Sequence, residues 1–424
     1  MTIWQALRPI LGWRHSRAAL LGLSVFALAA NDPASAQTRA APFETQAEQA
    51  FLFDQTSGTV LFERDPDKRI APASLVKLMT AAIVFRELKE GRLSPEADMV
   101  VSTGAWRKGG AVAGVPNMLL TPNKVIKVGE LVNGLVVVGA NDAALALAEN
   151  IAGTEDRFVE MMNAYAKKIG LGDLLFGNAT GLAGEGQAAS LRDLTRLAAH
   201  VIEAYPEQYS LFAQKDMAIG RGRQVSRNPL LTMDIGADGL MTGTAGDGSH
   251  LLIGSAVQEG RRLIVAIAGV KTLQDRALEA RKLLEWGFRR FEMRDLFRKG
   301  QVLGEVSLYG GESIAVPVAA RSDVRLPLLR GTNEGMTLRL SYRGPVPAPV
   351  TEGVEIARVE VLVDGRVIQV VPLVAARSVA QGGIVARARD AAIELARQWA
   401  REGWDWLSEK ARNRRSGQSA SAVP

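Results

Sequence analysis

Ser74 and Lys77 stand three apart in the run Ala-Pro-Ala-Ser-Leu-Val-Lys (71–77). On a helix that spacing puts two side chains on one face. A serine hydroxyl is a weak nucleophile until a neighbour removes its proton. A lysine kept neutral in a closed pocket can be that neighbour. Pro72 lies where helices commonly begin. The pattern therefore predicts a helix over 74–90, ended by Gly91, with the Ser74 hydroxyl in the positive field of its first turn. The chemistry this points to is acyl transfer through a serine ester. Taken alone, the same spacing fits an ordinary exposed helix start, since any long chain can hold a serine three before a lysine.

Composition narrows the choice. The chain has 424 residues and no cysteine, which excludes disulfides, thiolate–zinc sites and cysteine nucleophiles. Its three histidines are His15, His200 and His250. They argue against a Ser-His-Asp triad or a multi-histidine metal site, and no metal or cofactor is expected. A lysine base suits that scarcity. With 47% hydrophobic and 23% charged residues, the chain reads as globular and long enough for two or three domains. The formal charge of +6 suits a polyanionic neighbour such as anionic lipid or wall polymer. Basic residues are not interleaved with aromatics, so nucleic acid is not an expected partner.

The first residues carry a different signal. Arg8, Arg14 and Arg17 lead into an apolar stretch over 18–30, and Ala34-Ser35-Ala36 follows. These are the parts of a secretory signal peptide over 1–36, cleaved after Ala36. A core helix or an uncleaved anchor are the rival readings, but the apolar stretch falls short of the roughly 20 residues a bilayer requires. A secreted chain without disulfides fits a bacterial periplasm.

From 43 to 293 the pattern alternates strands and helices. Strands are expected over 50–54 and 59–63 around a Thr56-Ser57-Gly58 turn, and over 251–259 and 262–270 around Gly260. Helices are expected over 128–138 and 141–151 with a break at Gly139, and over 155–169, 191–203 and 275–291. Short alternating runs then dominate 299–378 and read as a small all-β domain. Over 383–410, Ile384, Ala388, Leu395, Trp399, Trp406 and Leu407 fall on one helical face, with Arg387, Arg397 and Arg401 elsewhere. A Trp-rich amphipathic helix with basic residues is expected to lie in a membrane interface, here the outer face of the inner membrane. Packing against protein is the alternative. The residues 411–424 read as a disordered tail.

If Ser74 and Lys77 are catalytic, two further elements should follow them, one from a break between helices and one from a strand facing the serine. Gly139-Ala140-Asn141-Asp142 and Met241-Thr242-Gly243-Thr244 occur in that order. Added to these are Asn-Ala-Thr-Gly-Leu (178–182), Tyr-Ser-Leu-Phe-Ala-Gln-Lys (209–215), Arg-Asn-Pro-Leu-Leu (227–231) and Leu-Leu-Glu-Trp-Gly-Phe (283–288). On these residues the chain resembles the low-molecular-mass penicillin-binding proteins, serine-type D-alanyl-D-alanine carboxypeptidases. The resemblance covers nearly all of the chain after the signal.

The resemblance implies roles. Ser74 would attack the D-Ala-D-Ala carbonyl of a peptidoglycan stem peptide, or a β-lactam, with Lys77 as base. Backbone N–H groups of Ser74 and Thr244 would form the oxyanion hole. Asn141 would hold the substrate amide. Thr242, with Gly243, Arg227 and Arg276, would receive the terminal carboxylate. It also implies an α/β (multidomain α+β) fold: a transpeptidase-like domain with an antiparallel sheet flanked by helices, then the β-domain and the amphipathic helix.

Two positions depart from the pattern. Gly139 stands where the second element carries a serine, and Met241 where the third carries a lysine. The serine relays a proton to the leaving D-alanine. The lysine binds the substrate carboxylate and depresses the pKa of the base, so its loss predicts a more protonated Lys77. Lys108 and Arg223 are candidates to supply the missing charge. The losses leave two functions open, a weak carboxypeptidase and a non-catalytic protein that binds wall peptides or wall enzymes. A class A β-lactamase is disfavoured, because no Glu-x-x-Leu-Asn follows Asn141, and Glu130-Leu-Val-Asn133 precedes it.

Overall fold

The computed structural model describes residues 43–384 except 185, 221, 331–335 and 364, together with 388–390 and 392. The expected signal peptide, the disordered tail and most of the amphipathic helix lie outside the described residues.

The chain opens with the hairpin β1 (Gln49–Asp54) and β2 (Thr59–Arg64). A 3-10 turn (Ala73–Val76) runs into α1 (Lys77–Lys89). Next come β3 (Asp98–Val100), α2 (Thr103–Gly109), β4 (Val125–Lys127) and the helices α3 (Val128–Val137), α4 (Asn141–Ala152) and α5 (Glu155–Lys168). After α6 (Leu191–Ala204) and the short α7 (Pro206–Tyr209), a small hairpin forms from β5 (Asp216–Ile219) and β6 (Gly222–Val225). Three long strands follow, β7 (Ala237–Thr244), β8 (His250–Gln258) and β9 (Arg261–Val270), and α8 (Leu273–Arg290) closes this part.

The main sheet has the order β2-β1-β9-β8-β7 and its pairings are antiparallel. Side chains of a strand alternate between faces, and both faces here are covered. In β9, Ile264, Ala266 and Ala268 join the apolar cluster of the helices that follow β2. Leu263, Val265 and Ile267 meet Ala280, Leu283 and Leu284 of α8. That explains the unbroken apolar run Leu-Ile-Val-Ala-Ile-Ala (263–268). Each such Leu or Ile contributes roughly 1.5–3 kcal/mol when fully buried.

Helix starts follow local chemistry. Ser190, Thr154 and Thr272 cap α6, α5 and α8 by accepting backbone N–H groups. Gly139 (φ +64°) and Gly153 (φ +83°) make the left-handed breaks before α4 and α5.

The expected elements are present with shifts of a few residues, and one difference matters for chemistry. Ser74 is not in an α-helical turn. It sits in the 3-10 turn before α1, because Ala73 adopts φ +46° and bends the chain there.

The strand-rich part begins at Phe291, directly after α8. It holds β10 (Phe291–Phe297), β11 (Val302–Tyr309), β12 (Ala315–Ala320), β13 (Val324–Leu329), β14 (Met336–Ser341), β15 (Val346–Pro347), β16 (Glu355–Val363) and β17 (Arg366–Ala375). Six of them form a sheet in the order β14-β16-β17-β12-β11-β15, while β10 and β13 pair separately. The core of this part is Val-rich: Val306, Val316, Val318, Val359 and Val361 are buried together. Among the described residues no helix is long and apolar enough to cross a membrane.

Candidate active site

Lys77 is completely buried at the start of α1. Its Nζ lies 3.1 Å from Ser74 Oγ and donates to the Thr180 carbonyl at 2.6 Å. Burial pushes the Lys77 pKa down to about 7, and the charge of Arg227 pushes the same way. A neutral Nζ has two protons and one lone pair. One proton is committed to Thr180 O, so the lone pair can accept the Ser74 proton. Losing the motif lysine removes one charge that would hold Lys77 neutral; burial and the Arg227 charge remain and act in that direction. Burial is the larger of these two causes and the Arg227 charge the smaller.

The turn over 178–181 holds this pair from behind. Asn178 Oδ1 accepts from Thr180 N–H (3.1 Å), Thr180 Oγ1 (3.1 Å) and Gly181 N–H (2.6 Å). Gly181 is left-handed at φ +75°, and a Cβ on it would lie 1.8 Å from the Ala73 carbonyl oxygen. Only glycine lets this turn press on the bend that presents Ser74.

The second element is held from two sides. Asn141 donates from Nδ2 (2.9 Å) and from its backbone N–H (2.8 Å) to Pro116 O. Its Oδ1 is buried and has no hydrogen-bond partner among the described residues. An unmatched buried acceptor costs about 1–3 kcal/mol, so it stands ready for an N–H donor. Asp142 accepts from Met118 N–H (3.0 Å), Leu120 N–H (3.1 Å) and Ala143 N–H (2.9 Å). It ties the loop before β4 to α4. Burial raises its pKa while those N–H groups oppose the rise. Gly109 closes the packing, since a Cβ there would lie 2.6 Å from the backbone of Asn141 and Asp142.

The third element runs along β7, the sheet edge. A Cβ on Gly243 would meet Ala73 Cβ at 3.2 Å and Ser74 N at 3.3 Å, so β7 lies directly against the nucleophile turn. Met241 is buried in the main apolar cluster. Thr242 Oγ1 donates to Arg227 O at 3.4 Å.

Two arginines stand by this strand. Arg227 donates from Nε to Val138 O (2.9 Å) and from its backbone N–H to Val137 O (3.3 Å). Its Cδ lies 3.7 Å from where a Gly139 Cβ would be, so its stem runs beside the place of the missing serine. Arg276, on α8, is 7% exposed and its Nε has no hydrogen-bond partner among the described residues. Burial and the charge of Arg227 lower its pKa to about 10. The other two candidate cations are engaged elsewhere: Lys108 pairs with Glu155 at 3.4 Å and Arg223 with Asp216.

Ser74, Lys77, Asn141, Gly139, Met241, Thr242, Gly243, Arg227 and Arg276 thus come from α1, α4, β7, α8 and the loops between them. Thr180, Pro116 and Asp142 were given no role from sequence. The signal for Thr180 was the Asn-Ala-Thr-Gly-Leu run. Pro116 carried none, because it acts through a carbonyl.

Comparisons with known proteins identify the family. A family model described as D-alanyl-D-alanine carboxypeptidase matches residues 35–272, and one described as penicillin-binding protein 5, C-terminal domain, matches 291–381. The chain is 32% identical to D-alanyl-D-alanine carboxypeptidase DacC of Escherichia coli, over 86% of this chain and 92% of that protein. It is also 32% identical to DacA of Haemophilus influenzae, over 91% and 94%. Among solved structures, penicillin binding protein 5 from Haemophilus influenzae superposes with a TM-score of 0.71 at 32% identity, over 80% of this chain and 99% of that one. Penicillin-binding protein D2 from Listeria monocytogenes, in its ampicillin-bound form, superposes with a TM-score of 0.51 at 28% identity, over 58% and 99%. The chain belongs to the D-alanyl-D-alanine carboxypeptidase family, with a C-terminal domain of the penicillin-binding protein 5 kind.

Proposed function

We propose that this chain removes the terminal D-alanine from peptidoglycan stem peptides through an acyl-Ser74 intermediate, at a rate held down by Gly139 and Met241. The observation that carries the reading is the buried Lys77 Nζ, 3.1 Å from Ser74 Oγ and with a pKa near 7. A base of that pKa is matched to neutral pH.

Ser74 Oγ attacks the penultimate D-Ala carbonyl as Lys77 accepts its proton. The developing oxyanion is held by the backbone N–H groups of Ser74 and Thr244. The C–N bond breaks, the leaving amine takes a proton, and water hydrolyses the ester. Asn141 Oδ1 accepts a substrate amide N–H. Thr242, Arg227 and the buried Arg276 receive the free carboxylate, whose affinity for an arginine fork is strong in a desolvated place. With no hydroxyl at 139, the leaving amine must be protonated by Lys77 itself or by water. Groups of the two missing kinds commonly account for 10²–10⁴ in rate each, and they do not add simply.

β-Lactams acylate the same serine in this reading. The chain sits in the periplasm, held at the outer face of the inner membrane by the helix over 383–410. A second reading, a wall-peptide binding protein without turnover, is favoured by Gly139 and Met241 occurring together. Steady-state release of D-alanine from an N-acyl-D-Ala-D-Ala peptide separates the two. Release that depends on Ser74 supports the carboxypeptidase. Tight peptide binding with no release at long times supports the binding protein.

A further inference from the structure

His250 has no part in the chemistry above, yet it stands at its edge. It opens β8 directly opposite Thr244, the last residue of β7, and its Nδ1 lies 3.0 Å from Thr244 Oγ1. The connecting turn is closed by Ala245 N–H to Ser249 O (2.8 Å) and Ser249 N–H to Asp247 Oδ1 (2.9 Å), so strand register holds the pair together. Thr242 and Thr244 are two apart on one strand and project to the same side. The Thr244 hydroxyl is therefore next in line after Thr242 for an anion bound there. The cation at this end, Arg276, is buried and lacks a partner at Nε among the described residues.

We propose that His250, acting through the Thr244 hydroxyl, sets how strongly the cleft holds the free carboxylate of an acyl donor. With Nδ1 protonated, the ring donates to Thr244 Oγ1 and leaves the hydroxyl proton free to donate to the carboxylate. With Nδ1 bare, the hydroxyl donates back to the ring and presents only lone pairs to the anion. The imidazolium also adds a positive charge beside the Thr244 end of β7. The inference rests on the cleft receiving the D-Ala-D-Ala end.

The surroundings favour a titrating role. Burial and the Arg276 charge both hold the His250 pKa below the usual imidazole value, and a bound carboxylate would raise it. Other charged groups on the neighbouring elements are Asp247 in the turn, Lys271 after β9, and Glu48, which packs over Gly269 and pairs with Lys68. Burial brings the Lys77 pKa to about 7, so a rate profile alone cannot assign the effect to His250.

The test is an NMR titration of the imidazole signals of the full chain carrying Ser74→Ala, which prevents turnover. The sequence has only three histidines, and His250→Gln assigns the signal. The probes are an N-acyl-D-Ala-D-Ala peptide and its C-terminal amide. The expected result is a His250 pKa raised by about one unit with the free acid and unmoved with the amide. One unit corresponds to about tenfold tighter binding to the protonated form. In kinetics, His250→Gln, whose amide can keep the Thr244 bond, should flatten the pH dependence of KM for the free acid with kcat little changed. Free-acid binding, reported by shifts elsewhere in the cleft, with the His250 pKa unmoved would overturn the proposal while leaving the cleft's assignment standing. Binding of neither peptide would overturn that assignment and the proposal with it.

Discussion

Replacing Arg227 by glutamine should move the acid limb of β-lactam acylation to higher pH. An ordinary lysine has a pKa near 10.5, and Lys77 is brought to about 7 by burial first and Arg227 second. That depression makes its charged form less favourable by on the order of 5 kcal/mol. At pH 7 about half of Lys77 is then a free base, against about one part in 3,000 for an unperturbed lysine. The sign follows: acylation should rise through a midpoint near pH 7 and level off above it. Without the Arg227 charge the protonated form becomes less unfavourable and the midpoint rises. Each half-unit of movement lowers the rate on the acid limb about threefold and leaves the alkaline plateau unchanged. Loss of carboxylate binding would instead lower the rate at all pH values without moving the midpoint. Stopped-flow acylation by a fluorescent penicillin between pH 5.5 and 9 measures both, with Arg227→Lys as the charge-retaining control. An unmoved midpoint in Arg227→Gln, or a wild-type midpoint near 10, would refute the assignment of Lys77 and its neighbours.

Three further outcomes follow from the same geometry. Gly181→Ala forces a Cβ to within 1.8 Å of the Ala73 oxygen at φ +75°; the left-handed backbone alone costs about 1–2 kcal/mol, so thermal unfolding should shift down by several degrees and β-lactam binding should fall. An unchanged melting point would contradict the packing. Restoring Gly139→Ser and Met241→Lys together should raise D-alanine release by about 10²–10⁴, reduced by the cost of a serine at φ +64°; no gain would mean that the neighbouring Arg227 has replaced the lost groups. Deleting 383–424 should move the protein from the membrane fraction to the soluble periplasmic fraction, and a full-length protein already soluble there would remove the membrane role.

What was legible in the sequence was whatever chemistry is written as short runs of side chains. Ser74 and Lys77 announce themselves by spacing, and Gly139 and Met241 are legible as departures because their neighbours Asn141, Thr242 and Gly243 keep the pattern. Contacts made by backbone carbonyls were not legible. Thr180 O reaches Lys77 across 103 residues of chain, and Pro116 O holds Asn141 without any side-chain signal. What holds Lys77 neutral was not legible for a related reason. The sequence shows that a charge is missing, but complete burial of Lys77 and the approach of Arg227 are properties of packing. The 3-10 turn at Ser74 was hidden because an alanine at φ +46° has no local cause. Gly181 and β7, distant in sequence, both lie against it.

The most direct test of the account is intact-mass spectrometry of the purified protein after exposure to a penicillin, with Ser74→Ala alongside. The account predicts a single adduct of the drug's mass on the wild type, formed faster as pH rises through 7, and none on Ser74→Ala. No adduct at high drug concentration and long times would contradict it. Ser74 and Lys77 would then be a geometric remnant, and the chain a binder of wall peptides.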